Sequence, residues 1–484
     1  VKTRDSTIYA AAWGIYDSNG GVFELNEDFS NRSNSFGIPG KDIFSLAYDA
    51  LFQRLYVGTL NSGLYEIQLE PLIKFEELKG HYIKGFAKIN GTSAYIHDEG
   101  IQIISSSDSI DIPLRKFKNW QQNYIDTTSL PLPKHEDHFY ELDHSTAASD
   151  IKFYDIKTSN NQYWINANIG LFAINQDGKL DTYLPLHSEE INFTNDGRLI
   201  ETNPYGGVRM YNDLETFSYQ YYPQDHKDTP TMVVSSLQTE NKTYFTSVFS
   251  GLYRYEEGRF KSLLNSKIWK EKNLRHIVFH NDNLAIASEF GDVYIVRDMP
   301  ESFEIVRKIP RASIQGNTIS FLNSYDTTLI IGTERGITLV EEDRIIFLDE
   351  EQGLEQPFFS SKIANDELHI GSENGIFRVN IEEILASSNR VIEIQLKDLS
   401  INNSVYDLPE NTLNDLDLDY DENTVLLNFS TNTHPYPKKL QYQYRLNQDE
   451  EWSTPTSNSE ILLPYLFLFL TMRQGLDLLQ KFVY

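Results

Sequence analysis

One pattern recurs along the chain and restricts its fold more than any other feature. It is a short alternating strand ending in Gly-Thr or Gly-Ser, a two- or three-residue turn, then a glycine that opens a second strand. The clearest copies run from Leu55 through Gly58 and Thr59 to Gly63 and Ile67, from Ile331 through Gly332 to Gly336, and from His369 through Gly371 to Gly375 and Val379. Weaker copies place the second glycine at Gly21, Gly100, Gly170, Gly207, Gly251 and Gly291, so successive glycines are 42, 37, 70, 37, 44, 40, 45 and 39 residues apart. A period of about 40–45 residues built from short strands and tight turns is that of a propeller blade. Such a four-stranded sheet cannot bury both faces alone, so blades stack around an axis. Glycine at the turn supplies the positive φ that a tight hairpin needs.

Counting back from Gly375, seven units reach Gly100, which leaves Gly21 and Gly63 over. The expected architecture is all-β: residues 1–80 as blades of a truncated preceding propeller, 81–390 as a seven-bladed β-propeller, and 391–484 as a smaller β-sandwich. A single ring of eight or nine units is the alternative. No helix beyond single turns is expected before residue 390, and a short helical patch is expected at Ile381 to Ala386.

Composition agrees with strands and narrows the function. Tyr (29) and Phe (28) dominate the aromatics and favour strands. With 70 acidic against 42 basic residues the net charge is -28, a field that repels nucleic acid and anionic lipid headgroups. There is no cysteine, which excludes disulfides, thiolate-bound zinc and a cysteine nucleophile. The chain starts at Val1 without a charged n-region or apolar h-region, as a mature product or a fragment would. The longest apolar run, Ile461 to Leu470, contains Pro464 and is half the length that a spanning helix requires.

After Gly375 the glycine repeat stops. Val391 to Leu396, Asp415 to Tyr420, Val425 to Phe429 and Tyr442 to Leu446 read as short strands with polar turns, as in a small antiparallel sandwich. Tyr442 and Tyr444 share one face of their strand, Val425, Leu427 and Phe429 offer an apolar layer of the same period, and Trp452 reads as core.

Tyr442-x-Tyr444-Arg-Leu446, a short acidic turn and Glu451-Trp452 resemble the triple-tyrosine domain that follows regulator-propeller repeats. Glu351 to Leu354, followed by His369 to Phe377, resembles that family's last blade, and Pro39 to Leu46 running into Leu55 to Thr59 matches its blade consensus. The resemblance covers nearly the whole chain. It implies the periplasmic sensor region of Bacteroidetes-type hybrid two-component or helix-turn-helix regulators, in which two seven-bladed propellers precede an Ig-like sandwich. It also implies a small-molecule or oligosaccharide ligand, attachment to the membrane only through a helix outside this chain, room for a homodimer, and no nucleic acid on this segment. After Pro464 the text departs from the family, and a badly fitting tail is expected from about Leu466.

Other constellations read blandly. His135, His138, Glu141 and His144 fit no zinc spacing and read as a polar loop. Asp415, Asp417, Asp419 and Asp421 alternate like an EF-hand start, but Tyr420 stands where the loop needs Gly. Trp13, Trp120, Trp164, Trp269 and Trp452 could stack on sugar rings, although propeller aromatics mostly pack between blades. No Gly-x-Ser-x-Gly, His-Glu-x-x-His or phosphate-cradling loop occurs, so no catalytic residue, metal or cofactor is expected. A secreted propeller lyase or glycosidase and an interaction scaffold are the rival readings.

Overall fold

The computed structural model describes residues 1–464 apart from 128–144, 263–271, 389–394, 407–420, 431–441, 445–452 and single positions or short stretches in other turns. It forms two compact units, one made chiefly of Val1–Leu72 and Val391–Lys439, the other chiefly of Ile73–Arg390.

The second unit is a β-propeller of seven four-stranded antiparallel sheets. Its inner strands are Gly85–Ile89, Phe153–Ser159, Glu190–Phe193, Val233–Gln238, Leu274–His280, Ile319–Tyr325 and Phe358–Ala364. Each packs against the next, and the last returns to the first, closing a ring. Seven of the nine glycines, Gly100 to Gly375, mark its blades. Closure comes from upstream: Ile73–Glu77 is the outer strand of the seventh blade, with Ile73 opposite Val379. The ring therefore reaches back to Ile73, inside the stretch expected to belong to a preceding propeller. Pairing sequence-distant strands in one sheet means the ring cannot open without breaking a ladder.

Burial follows from stacking. Gly170–Ile174 and Thr328–Thr333 are buried at every position, as strands covered on both faces must be. At the turns, the hydroxyl that follows the first glycine closes the hairpin. Thr333 donates to the carbonyl of Gly336 at 3.2 Å and accepts from the Arg335 amide, and Ser372 treats Gly375 and Asn374 likewise. Gly336 has φ 151° and Gly375 φ 130°, conformations that L side chains rarely adopt.

The expectation of no helix is wrong at one place. The 70-residue interval holds α1, Leu114–Thr127, inserted after the outer strand of the first blade. Phe117 lies 5.0 Å from the Phe153 ring and 5.1 Å from Phe172, while buried Gln121 donates to the Ile169 carbonyl. Leu114, Phe117, Trp120 and Tyr124 recur at helical spacing, a signal present in the sequence. The short C-terminal helix, α2, spans Ile381–Ser388.

In the first unit, residues 1–72 make two three-stranded sheets, Ile8–Ala12 with Gly21–Leu25 and Asn31–Asn34, and Ile43–Asp49 with Arg54–Thr59 and Leu64–Gln68. They share an apolar cluster of Tyr9, Val22, Ile43, Leu55 and Val57. The C-terminal segment contributes one antiparallel sheet, ordered Ser404–Tyr406, Gln395–Ile401, Thr424–Ser430 and Glu460–Pro464. Leu399, Ile401, Val425, Leu427, Phe429 and Ile461 are buried. A sandwich needs two sheets, and among the described residues of this segment there is a single one. Tyr442 and Tyr444 are half-buried, and Tyr442 bridges Thr456. Trp452 and the tail after Pro464 lie outside the described residues, as do Trp269, His135, His138, Glu141, His144 and all but Asp421 of the aspartate series.

Candidate functional site: the axial channel

The seven inner strands enclose a cavity of about 920 Å³ along the propeller axis. A repeated backbone irregularity shapes its wall. In five inner strands the register shifts after the first residue, leaving Tyr154, Val234, Arg275, Ser320 and Phe359 as extra residues. All five line the cavity. Bulges commonly re-aim side chains in this way. The bulge also explains the glycine before the motif hydroxyl. A Cβ at Gly332 would collide with the Phe321 ring, and one at Gly371 with the Ser360 hydroxyl, each the residue just after the bulge.

The lining is more basic than the protein around it. Lys84, Lys157, Arg275 and Lys362 stand against Asp155 and Glu190, in a chain of net charge -28. Two of the cations are paired within the wall. Lys157 Nζ lies 2.9 Å from Asp155, whose charge holds the amine above the usual lysine value. Arg275 Nε contacts Glu289 at 2.7 Å. Lys84 and Lys362 have no carboxylate at ion-pair distance among the described residues. Burial, and then the neighbouring Lys152 or Lys157 charge, pushes both amines below the usual lysine range. Asp155 opposes this at Lys362 but does not prevail. The Lys84 ammonium lies 5.7 Å from the Tyr82 ring centroid. His276 also lines the cavity, its Nε2–H bonded to the Ile319 carbonyl at 3.0 Å and its pKa lowered by burial, which keeps the imidazole neutral.

Among the described residues one cluster has metal-ligand composition, His81, His97 and Asp98, with ligand atoms within 4.8 Å. His81 Nδ1 lies 3.3 Å from Asp98, and the Glu99 amide already donates to His97 Nδ1. The contact of His81 with Asp98 across two loops, the bond within the His97–Glu99 turn and the 4.7 Å approach of the two imidazoles account for the grouping. Glu201, Arg209 and Tyr211 form a buried network in the third blade. The Tyr211 hydroxyl donates to Glu201 at 2.8 Å, and burial raises the carboxyl pKa. Trp164 is buried and Trp120 packs on the buried Phe117 and Phe172 rings, so both are structural, whereas Trp13 is exposed. The lining residues went unnamed in the sequence because they precede the recurring motif, and only the ring's register brings them together.

By fold the chain is a seven-bladed β-propeller preceded by blade-like sheets. No family model and no curated protein matches its sequence. Among solved structures, the extracellular domain of BT3049 from B. thetaiotaomicron, assigned to the hybrid two-component systems, matches with TM-score 0.64 at 14% identity, over 96% of this chain and 63% of that one. The extracellular domain of BT4673 from the same organism, assigned to a one-component system, aligns over 96% of this chain and 75% of that one, at 14% identity and TM-score 0.34. YCF48 bound to a D1 peptide covers 64% of this chain, with 96% of its own length, at 12% identity and TM-score 0.45. These identities speak to fold alone, and the BT3049 domain alone of the three carries the comparison. The chain spans about three-fifths of that domain's length. Among the described residues, no helix is long and apolar enough to cross a membrane.

Proposed function

We propose that this segment is the extracytoplasmic ligand-sensing region of a membrane-spanning regulator, lying on the periplasmic side and binding a glycan fragment in its axial channel. The observation that carries this is the match of 96% of the chain, sheets before the ring and segment after it included, to the BT3049 extracellular domain. The cavity falls within the roughly 300–1,000 Å³ of small-ligand sites. Its wall joins aromatic rings (Tyr154, Phe193, Phe359) to hydroxyls and amides (Ser235, Asn192, Ser361), the mixture that saccharides require.

The two N-terminal sheets are, on this reading, the last blades of a preceding propeller. The first carries its motif glycine on its second strand, as though an inner strand were missing upstream. Among the described residues the second has no outer strand, and the next strand, Ile73–Glu77, joins the ring instead. The C-terminal sheet belongs to an Ig-like sandwich that passes the signal onward. Signalling then requires that ligand bind one conformation more tightly than another.

A thermal-shift screen of a glycan-fragment library tests this, with products followed by chromatography. A fragment that raises the midpoint and is recovered intact supports a sensor. Cleavage of the fragment, or no stabilisation by any glycan class, would overturn it in favour of an enzyme or a scaffold.

A further inference from the structure

We propose that the axial channel takes an acidic saccharide, whose carboxylate or sulfate groups are received by the ammonium groups of Lys84 and Lys362. The sugar part rests on the sensor reading above; the charge part rests on the channel alone.

An acidic chain gains nothing structurally from basic residues on an internal wall unless they are paired. Lys157 and Arg275 are paired, with Asp155 and Glu289. Among the described residues Lys84 and Lys362 have no carboxylate at ion-pair distance, and the charges acting on each include another cation, Lys152 for the one and Lys157, partly offset by Asp155, for the other. The two residues come from adjacent parts of the ring. Lys84 leads into the inner strand of the first blade, and Lys362 lies on that of the seventh, which packs directly against it. A half-buried ammonium beside another cation is uncomfortable without an anion, because burial removes water that would otherwise solvate it. An anionic ligand group supplies the counter-charge, and a charge-assisted hydrogen bond is stronger than a neutral one. A bare inorganic anion would leave most of a 920 Å³ cavity unfilled. An oligosaccharide would occupy it, with its ring faces against Phe359 and Tyr154 and its acidic groups on the lysines.

Calorimetry would use trigalacturonate, a sulfated disaccharide, a neutral trisaccharide and inorganic sulfate, titrated into the intact chain, Lys84→Met, Lys362→Met and Lys362→Arg. At least one acidic saccharide should bind the intact chain, and each Met variant should weaken it about tenfold, the equivalent of one lost charge contact. Lys362→Arg should keep most of the affinity. Binding should also weaken between about 0.05 M and about 0.5 M salt, as screening demands. Circular dichroism and the unliganded midpoint report whether the Met variants fold. If the neutral trisaccharide alone binds, indifferent to both lysines, the charge inference falls and the sensor reading stands. If inorganic sulfate binds as tightly as the saccharides, the sugar part falls. If no acidic probe binds, the proposal fails outright.

Discussion

Compare the sheet Ile43–Gln68 with the sixth ring blade, Ile319–Leu348. Both carry the bulge after the first inner residue, at Ile43/Ser45 and Ile319/Phe321. In both a glycine faces the residue after the bulge, and in both a threonine closes the turn, Thr59 on the carbonyl of Gly63 at 2.7 Å and Thr333 on that of Gly336. Yet the residue after the turn glycine is 69% exposed in the first sheet (Leu64) and fully buried in the ring (Ile337). Phe44, the bulge residue of the first sheet, is 72% exposed. Local sequence therefore builds the hairpins in either setting, and neighbouring blades build the core.

The largest expected effect would break that comparison outright. Ile337→Ala, which empties a buried site between blades, should cost about 2–4 kcal/mol in urea denaturation. Leu64→Ala, at the matching position, should cost less than about 0.5 kcal/mol. Equal costs would mean that the N-terminal sheet is covered after all.

A subtler pair sharpens it. At Gly332 an added methyl meets the Phe321 ring, which is itself packed in the blade, whereas at Gly58 it meets the small, rotatable Ser45 hydroxyl. Gly332→Ala should cost about 1–3 kcal/mol and Gly58→Ala under about 1 kcal/mol, read as shifts in denaturation midpoint. A Gly58 variant as damaging as the Gly332 one would show that strand conformation, not crowding, selects the glycine.

What the sequence revealed follows the same division. Period, turn chemistry and the seven-unit count were legible because each lies in one hairpin. The closing strand was not, since Ile73–Glu77 pairs with residues some 300 positions away and nothing local announces it. Helix α1 was legible in principle, but its Phe117 and Trp120 were hidden by an assumption of unbroken strand repeats. The channel residues were the least legible. Tyr154, Arg275 and Phe359 resemble any strand residue until the bulge register turns them onto a common axis.

Acid should separate the two regions. Burial holds His276, His280 and His369, all in the ring, below the ordinary histidine value of 6.5, while residues 1–72 contain no histidine. The groups facing them are Arg275 and Glu289, Arg307, and Glu367 with Lys88, respectively. Because each native imidazole resists protonation, the unfolded chain binds the proton first. The stability is fully present above pH 6.5 and is lost as the pH falls from there toward the depressed values. The ring's denaturation midpoint should therefore fall as the pH drops through that window. His276→Gln should flatten the profile, and an unchanged slope would remove His276 from the account.

The smallest effect comes from the channel and sets the ring against itself. Lys362 is a half-buried amine held below the usual lysine value by burial and by the Lys157 charge, with Asp155 offsetting only part of it. A base with a depressed native pKa destabilises the fold while it is protonated. That cost is present at neutral pH and is relieved as the pH rises through the depressed value toward 10.5, where the unfolded chain also loses its proton. Lys362→Met removes the charge and keeps the stem, so the unliganded ring should become slightly more stable at pH 7, by less than about 1 kcal/mol given its solvent access. The gain should shrink toward pH 10. Lys157→Met should do the opposite at neutral pH, because it removes the cation paired with Asp155 and leaves that carboxylate, among the described residues, only the Ile156 amide at 2.8 Å. If Lys362→Met destabilises the ring at pH 7, the lysine stem or an unrecognised partner supports the fold, and the idea of a charge held in readiness for a ligand loses its thermodynamic basis.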